Sequence, residues 1–317
     1  MSGAAAMPVA TAFLMVAAGL IMLVGGGEIL VSGATRLARR LGMSTLMIGL
    51  TVVAFGTSVP ELFVSLTASL KGYPDIMIGN IVGSNTANIG LILGISALLA
   101  RLHMTLREVW TELILVVGGS IVLMICSSLG RFPRPVGILF ILTIVAYTFF
   151  TVRESKNNPL DRGRSDSNLA GLPLVPILLV IGGLLLLNFG ADFFISGAAD
   201  LARHFGVSEL VIGLTLAAIG TSLPELASSL SALRRNESGL LIGNVIGSNM
   251  FNLFLVMGLT GAISPFVLSS SLLLRDLPIM LAFTLGLVAI LRHAHGTYRW
   301  HGALLFGGYC AYCLALL

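Results

Sequence analysis

Two short polar segments interrupt long apolar stretches and carry the residues best suited to binding a cation. Residues 56–61 read GTSVPE and residues 220–225 read GTSLPE. A proline inside a helix removes a main-chain hydrogen bond, so Pro60 and Pro224 are expected to leave carbonyl oxygens free. Hydroxyl groups precede each proline and a carboxylate follows it. The side chains concerned are Thr57, Ser58, Glu61, Thr221, Ser222 and Glu225.

A second pair of polar segments lies downstream of the first. Residues 79–88 read GNIVGSNTAN and residues 243–252 read GNVIGSNMFN. We expect the glycine and serine in the middle of each segment, at Gly83 and Gly247, to interrupt a helix. The asparagines are then available to form hydrogen bonds or to coordinate an ion. The alternative is that these small residues only allow helices to pack closely. The polar side chains are Asn80, Ser84, Asn85, Asn88, Asn244, Ser248, Asn249 and Asn252.

The composition places both pairs of segments in a membrane. Of the 317 residues, 56% are hydrophobic and 10% are charged, and the mean hydropathy is +1.00. A membrane helix needs about 20 apolar residues, and the chain contains ten such stretches, which predict an all-α integral membrane protein. The basic residues are scattered in loops, so no nucleic-acid partner is expected. The predicted helices cover residues 8–35, 44–70, 76–99, 111–129, 136–152, 173–202, 209–233, 240–263, 277–291 and 301–317.

A glutamate at membrane depth needs a counter-charge. Burying an unpaired carboxylate in a bilayer costs several kcal/mol, and neither hexapeptide contains a lysine or an arginine. Calcium accepts carboxylate, carbonyl and hydroxyl oxygens in a flexible shell. The residues around Glu61 and Glu225 therefore predict a site for a hard cation such as calcium.

The two halves of the chain repeat each other. Residues 49–94 align without a gap with residues 213–258 at an offset of 164, and 22 of the 46 aligned positions are identical. Because each repeat contains five helices, an odd number, the second copy enters the membrane from the side opposite to the first. The predicted fold is therefore ten transmembrane helices in two inverted repeats, with the site between broken helices near the midplane. The second, third, seventh and eighth helices are expected to be broken.

The distribution of basic residues predicts the orientation. When alternate loops are assigned to the same face, thirteen of the 18 lysines and arginines fall on one side and five on the other. The positive-inside rule places the first set in the cytoplasm. Both termini of this cell (inner) membrane protein are then outside. The predicted units are a first repeat at 1–152, a cytoplasmic linker at 153–172 and a second repeat at 173–317.

The paired GTSxPE and GNxxGSNxxN segments resemble the alpha repeats of the sodium/calcium exchanger family, within the cation/calcium antiporter superfamily. The resemblance covers essentially the whole chain, and it implies a fold of ten helices in two inverted halves. It also implies that Glu61 and Glu225 are central ligands shared by calcium and sodium, with Thr57 and Thr221 near them. The implied sodium ligands are the hydroxyls of Ser58, Ser84, Ser222 and Ser248 and the carbonyls of Ala54 and Ala218.

The resemblance places two asparagines, Asn88 and Asn252, at the border of the site. In part of the family one of these two positions is an aspartate. The present chain has asparagine at both, so the predicted site holds two carboxylates and no third.

The predicted function is secondary active antiport of calcium and sodium by alternating access. One calcium or several sodium ions can neutralise two carboxylates through overlapping oxygens, so each ion excludes the other. The alternative is a proton-driven antiporter, in which a glutamate carries a proton, although proton-coupled relatives usually lack the preceding GTS. Inverted repeats favour a carrier over an enzyme or a channel. The expected partners are calcium, sodium and the lipid bilayer, with no cofactor and no obligatory protein partner.

Two further features concern the first and sixth predicted helices, which similar family members move across the rest. Glu28 and Asp192 occupy matched positions and either line an ion path or form structural hydrogen bonds. Glycines on both helices suit either a sliding surface or ordinary close packing. They are Gly25, Gly26, Gly27, Gly33, Gly182, Gly183, Gly190 and Gly197.

Overall fold

The computed structural model describes residues 8–157, 174–206, 220–268, 272–294 and 296–316. Seven helices in this part of the chain are long and apolar enough to cross a membrane, or eight if a bent pair is one span. The prediction of a largely helical integral membrane protein is confirmed. Two short strands, β1 (Arg131–Phe132) and β2 (Phe266–Val267), pair antiparallel and join two interhelical loops.

The helices are named in chain order. In the first half they are α1 (Val9–Leu41), α2 (Thr45–Thr57), α3 (Val59–Leu70), α4 (Pro74–Leu99), α5 (Leu106–Ser128) and α6 (Arg134–Asn157). In the second half they are α7 (Leu174–His204), α8 (Leu223–Arg234), α9 (Ser238–Ile263), α10 (Leu277–Ala294) and α11 (Arg299–Leu316). The first part of the predicted helix 209–233 lies outside the described residues.

The first helix is longer than its apolar stretch. The basic residues Arg39 and Arg40 lie in the last turn of α1, where positive side chains complement the free carbonyl groups of a helix end. Gly42 ends the helix with a left-handed φ of 67°, and its N–H contacts the Ala38 carbonyl. The predicted helix end at residue 35 therefore marks the end of the apolar segment, and the helix itself continues to Leu41.

The predicted interruption by the hexapeptide is present in the first half, and in the second half α8 begins after a residue of the same conformation, although residues 207–219 lie outside those described. The axes of α2 and α3 differ by 42°, and Ser58 at the junction has φ −80° and ψ 1°. In the second half, Ser222 has φ −88° and ψ 2° immediately before α8. Pro60 and Pro224 occupy the first turns of α3 and α8, where the missing N–H is tolerated.

The predicted breaks in the third and eighth helices are wrong. Both α4 and α9 continue as regular helix through Gly83 and Gly247. A glycine weakens a helix by only about 1 kcal/mol, and tertiary packing easily outweighs this cost. Each helix instead widens into a π-helical segment beside the last asparagine, at Asn88–Leu93 and Phe251–Val256. Such segments are frequent at functional sites.

The helices α1 and α7 are in close backbone contact. A methyl group added at Gly183 would lie 2.6 Å from the Leu30 nitrogen, and one added at Gly190 would lie 2.9 Å from the Leu23 nitrogen. By contrast, a methyl group at Gly182 would meet no atom within 4 Å. The glycines that line this seam are Gly19, Gly26, Gly33, Gly183, Gly190 and Gly197, whereas Gly25 faces open space and Gly27 faces α8.

The seam generates a test of packing. We expect Gly183→Ala to lower the free energy of unfolding by about 1–3 kcal/mol, because the new methyl group must displace the backbone of α1. The measurement is the thermal unfolding midpoint of the purified protein in detergent. Gly182→Ala is the matched control. Equal midpoints for the two variants would show that α1 and α7 separate at Gly183 without cost.

Candidate functional site

The two glutamates lie in the first turns of the helices that follow the breaks. Glu61 belongs to α3 and Glu225 to α8, and neither side chain has any exposed surface. The partial positive charge at a helix N-terminus favours a carboxylate by roughly 0.3–1 kcal/mol. That gain is smaller than the several kcal/mol that a charge costs inside a membrane.

Neither carboxylate has a partner among the described residues. All four oxygens of Glu61 and Glu225 are buried without a hydrogen bond. The ion pairs in this part of the chain all involve other acidic residues. A buried charge left unpaired carries a large free-energy cost. The described side chains therefore leave the two carboxylates to be neutralised either by a bound cation or by a proton.

Each glutamate borders a threonine from the other half of the chain. Glu61 lies beside Thr221, and Glu225 lies beside Thr57. Glu61 and Glu225 also lie near each other. Residues that are distant in sequence thus meet in one cluster. The serines that adjoin the carboxylates are Ser84 and Ser248.

Two asparagines orient these threonines. Thr57 Oγ1 donates to Asn244 Oδ1 at 3.1 Å, and Thr221 Oγ1 donates to Asn80 Oδ1 at 3.1 Å. A hydroxyl that gives its proton to another acceptor keeps its oxygen lone pairs for a cation. Asn80 and Asn244 therefore orient the threonine hydroxyls, and their own side-chain oxygens are occupied by these hydrogen bonds.

Serines hold the two asparagines in turn. Asn80 Nδ2 donates to Ser65 Oγ at 2.9 Å, and Asn244 Nδ2 donates to Ser228 Oγ at 3.0 Å. Neither serine was among the predicted site residues. Ser65 repeats as Ser229 at the 164-residue offset, a signal that was present in the alignment, but Ser228 corresponds to Val64 and carries no such signal.

The predicted sodium ligands lie around the breaks. The hydroxyls of Ser58, Ser84 and Ser222 are buried without hydrogen-bond partners, and Ser248 Oγ is 3.4 Å from Thr57 Oγ1. The Ala54 carbonyl accepts a hydrogen bond from the Ser58 N–H at 3.0 Å. Thr57 Oγ1 also lies 3.4 Å from this carbonyl oxygen. The Ser58 bond uses only one of the two lone pairs of the oxygen. Ala218 lies outside the described residues.

The central asparagines differ between the halves. Asn85 and Asn249 are related by the repeat, and the Nδ2 of each donates to the main-chain carbonyl of the other, at 3.2 and 3.3 Å. Asn88 Nδ2 donates to Asn249 Oδ1 at 2.9 Å, whereas both amide atoms of Asn252 are buried without a partner. Of the two predicted border residues, only Asn88 is held by a hydrogen bond from its side chain.

The site offers oxygen ligands and only two charges. The described residues contain no group of three or more histidine, cysteine or acidic side chains able to hold a metal ion. Carboxylate and hydroxyl oxygens suit hard cations such as calcium. Zinc and copper sites more often use nitrogen and sulfur ligands.

Comparison with known proteins agrees with this chemistry. The chain is 40% identical over 264 residues to the putative antiporter CaxA of Alkalimonas amylolytica, which covers 80% of this chain and 82% of that protein. It is 32% identical over 326 residues to the sodium/calcium exchanger MaX1 of Methanosarcina acetivorans, which covers 89% and 92%.

Structural comparison extends the similarity to nearly every residue. A solved structure of the sodium-calcium exchanger NCX_Mj, soaked with 10 mM Na⁺ and zero Ca²⁺, superposes with a TM-score of 0.86 and 29% identity. The superposition covers 98% of this chain and 100% of that one. The family model of the sodium/calcium exchanger protein matches residues 11–153 and again residues 175–317. With both halves matched, the chain belongs to the sodium/calcium exchanger protein family.

Proposed function

We propose that the oxygen cluster around Glu61 and Glu225 is the transport site of this chain, which exchanges calcium for sodium across the membrane by alternating access. The observation that carries the assignment is the pair of fully buried carboxylates without a donor or a cationic partner among the described residues. MaX1 and NCX_Mj, named as exchangers of the same two ions, support it.

Calcium occupies the centre of the cluster in this proposal. It takes about six to eight oxygen ligands, and carboxylates can bind it through one or both oxygens. Glu61 and Glu225 supply the charge, and Thr57 and Thr221 supply hydroxyl oxygens whose protons are donated to asparagines. The asparagines that border this centre are Asn88 and Asn252.

Sodium ions occupy the flanks and share the glutamates. The buried serine hydroxyls without partners support flanking sites, since each would otherwise remain an unsatisfied polar group. The proposed flanking ligands are the hydroxyls of Ser58, Ser84, Ser222 and Ser248 and the carbonyls of Ala54 and Ala218.

Competition for the glutamates couples the two ions. One calcium ion or two sodium ions neutralise the charge of minus two, and overlapping ligands prevent both from binding fully. Crossing without cargo would carry unpaired charge through the low-dielectric interior, which is costly. The resemblance to the family implies that α1 and α7 move across the other helices. Their glycine seam supports movement as one unit.

We also propose the ten-helix arrangement in two inverted repeats, at 1–152 and 173–317, joined by a linker at 153–172. The two separate matches to the family model support these boundaries. So do the breaks at Ser58 and Ser222, and the threonine-to-asparagine bonds that cross between the halves in both directions.

The chain is a multi-pass integral membrane protein of a transporter family. We place it in the cell (inner) membrane with both termini outside and the linker in the cytoplasm, on the distribution of basic residues. The proposal involves no catalysis, cofactor, nucleic acid or obligatory protein partner. The substrates of the chain are calcium and sodium, and the chain is embedded in the lipid bilayer.

The central prediction concerns the carboxylates. We expect Glu61→Gln or Glu225→Gln to abolish sodium-dependent calcium uptake by proteoliposomes, because the amide keeps the shape of the side chain but loses its charge. Uptake is measured under an imposed sodium gradient and, separately, under a proton gradient. The wild type should respond only to sodium.

The control for this experiment is Asp75→Asn, at an exposed acidic residue in the first turn of α4. It should transport like the wild type. Normal exchange by either glutamine variant would reject the assigned site, and uptake by the wild type under a proton gradient alone would favour proton coupling.

A second site prediction uses Asn252. Asn252→Asp adds a third carboxylate to the cluster, so more positive charge is needed for neutrality, and we expect a steeper dependence of calcium flux on sodium concentration. The measurement is a sodium titration of calcium flux in proteoliposomes. Asn157→Asp, near the end of α6, is the control. Identical titrations for both variants and the wild type would mean that Asn252 does not face the ions.

The orientation is tested by cysteine labelling. In a background with Cys126, Cys310 and Cys313 replaced by serine, a membrane-impermeant maleimide should label His103→Cys only from the cytoplasm. It should label Ser128→Cys only from outside. Both positions are exposed, the first in the loop between α4 and α5 and the second at the end of α5. The opposite pattern would invert the proposed topology.

A further inference from the structure

An ion pair outside the transport site joins a moving helix to a glutamate-bearing helix. Glu28 of α1 lies 2.7 Å from Arg235 at the end of α8, measured from Oε2 to Nε, and 4.0 Å from Arg234 Nη1. The neighbouring Gly27 allows close approach, because a methyl group there would lie 2.8 Å from the Ala227 carbonyl oxygen. The pair therefore sits where α1 is pressed against α8.

The repeat contains a second copy of these charges. The 164-residue offset relates Glu28 to Asp192 of α7, and Arg235 to Lys71 at the end of α3. Lys71 and Arg235 also share a backbone conformation, with φ/ψ of −84°/0° and −92°/5°. Both halves thus place a basic residue at the same point after the glutamate-bearing helix.

Only one of the two pairs is formed. Asp192 and Lys71 are both exposed, and within the described part of the chain no ion pair joins them. The helix packing has the same asymmetry, since α1 packs along α8 but α7 makes no comparable contact with α3. In the proposed orientation, the structure is closed at the cytoplasmic ends of α1 and α8.

We propose that Glu28–Arg235 and Asp192–Lys71 are alternating ion pairs, the first formed when the cytoplasmic side is closed and the second when the outer side is closed. This inference rests on the proposed function, in which α1 and α7 move across the other helices. Each pair exists in one access state only, so each stabilises that state relative to the other. These four are positioning residues that set the balance between the states.

The effect is measurable from the two faces of the membrane. The apparent KM at one face increases as the fraction of molecules open to that face decreases. The ratio of the cytoplasmic to the outer KM for calcium therefore follows the equilibrium between the states. An exposed ion pair is weak, so we expect its loss to change this ratio by about two- to five-fold.

The experiment compares calcium flux in right-side-out and inside-out vesicles. Glu28→Gln should lower the ratio of cytoplasmic to outer KM, and Asp192→Asn should raise it, while both variants still exchange calcium for sodium. Arg235→Gln and Lys71→Gln test the same pairs from the basic side. The double variant Glu28→Gln, Arg235→Gln should shift the KM ratio little more than either single variant does, as expected for residues that act as a pair.

The matched control is Glu237→Gln, two residues after Arg235 and outside both pairs. It should leave the ratio unchanged. Exchange at normal rates with an unchanged ratio in the Glu28 and Asp192 variants would overturn the inference, as would shifts of both in the same direction. Absence of sodium-dependent calcium flux in the wild type would instead contradict the proposed function.

Discussion

Two carboxylates buried in one cluster within a membrane, without a cationic partner among the described residues, are the constraint on which the rest of this structure depends. Their charge cannot be stabilised by the helix N-termini alone, because that contribution is a fraction of the desolvation cost. The surrounding side chains are accordingly neutral oxygen donors. Such a site is stable only when the charge of its carboxylates is neutralised, and an antiporter uses this requirement by letting different cations neutralise the site in turn.

The polar residues around the carboxylates are ordered in layers. Serines hold Asn80 and Asn244, these asparagines accept the threonine protons, and the threonine oxygens are left to face the glutamates. A ligand whose orientation is fixed in advance loses less entropy when an ion binds. The repeated crossing of these bonds between the halves also ties the two broken helices to α4 and α9.

The sequence predicted those features that have a direct covalent cause. A proline is tolerated in the first turn of a helix but not in its interior, so the starts of new helices just after Ser58 and Ser222 were predictable. The breaks expected at Gly83 and Gly247 did not occur, because a glycine in a helix depends on its packing. The unequal bonding of Asn88 and Asn252 was beyond prediction, since the two residues are identical in type and in repeat position and differ only in the tertiary arrangement.

The unequal bonding of Asn88 and Asn252 shows that identical residues take different arrangements in the two halves. When two halves carry nearly the same residues, the access states can use the same contacts with the roles of the halves exchanged, so their free energies stay close. A carrier needs this near-balance, because a strongly favoured state would trap its cargo. The remaining bias must come from positions where the repeats differ, such as Lys71 against Arg235 and Val64 against Ser228. Divergence at a few positions adjusts the equilibrium, while the duplicated glutamates keep the chemistry of the site the same in both states.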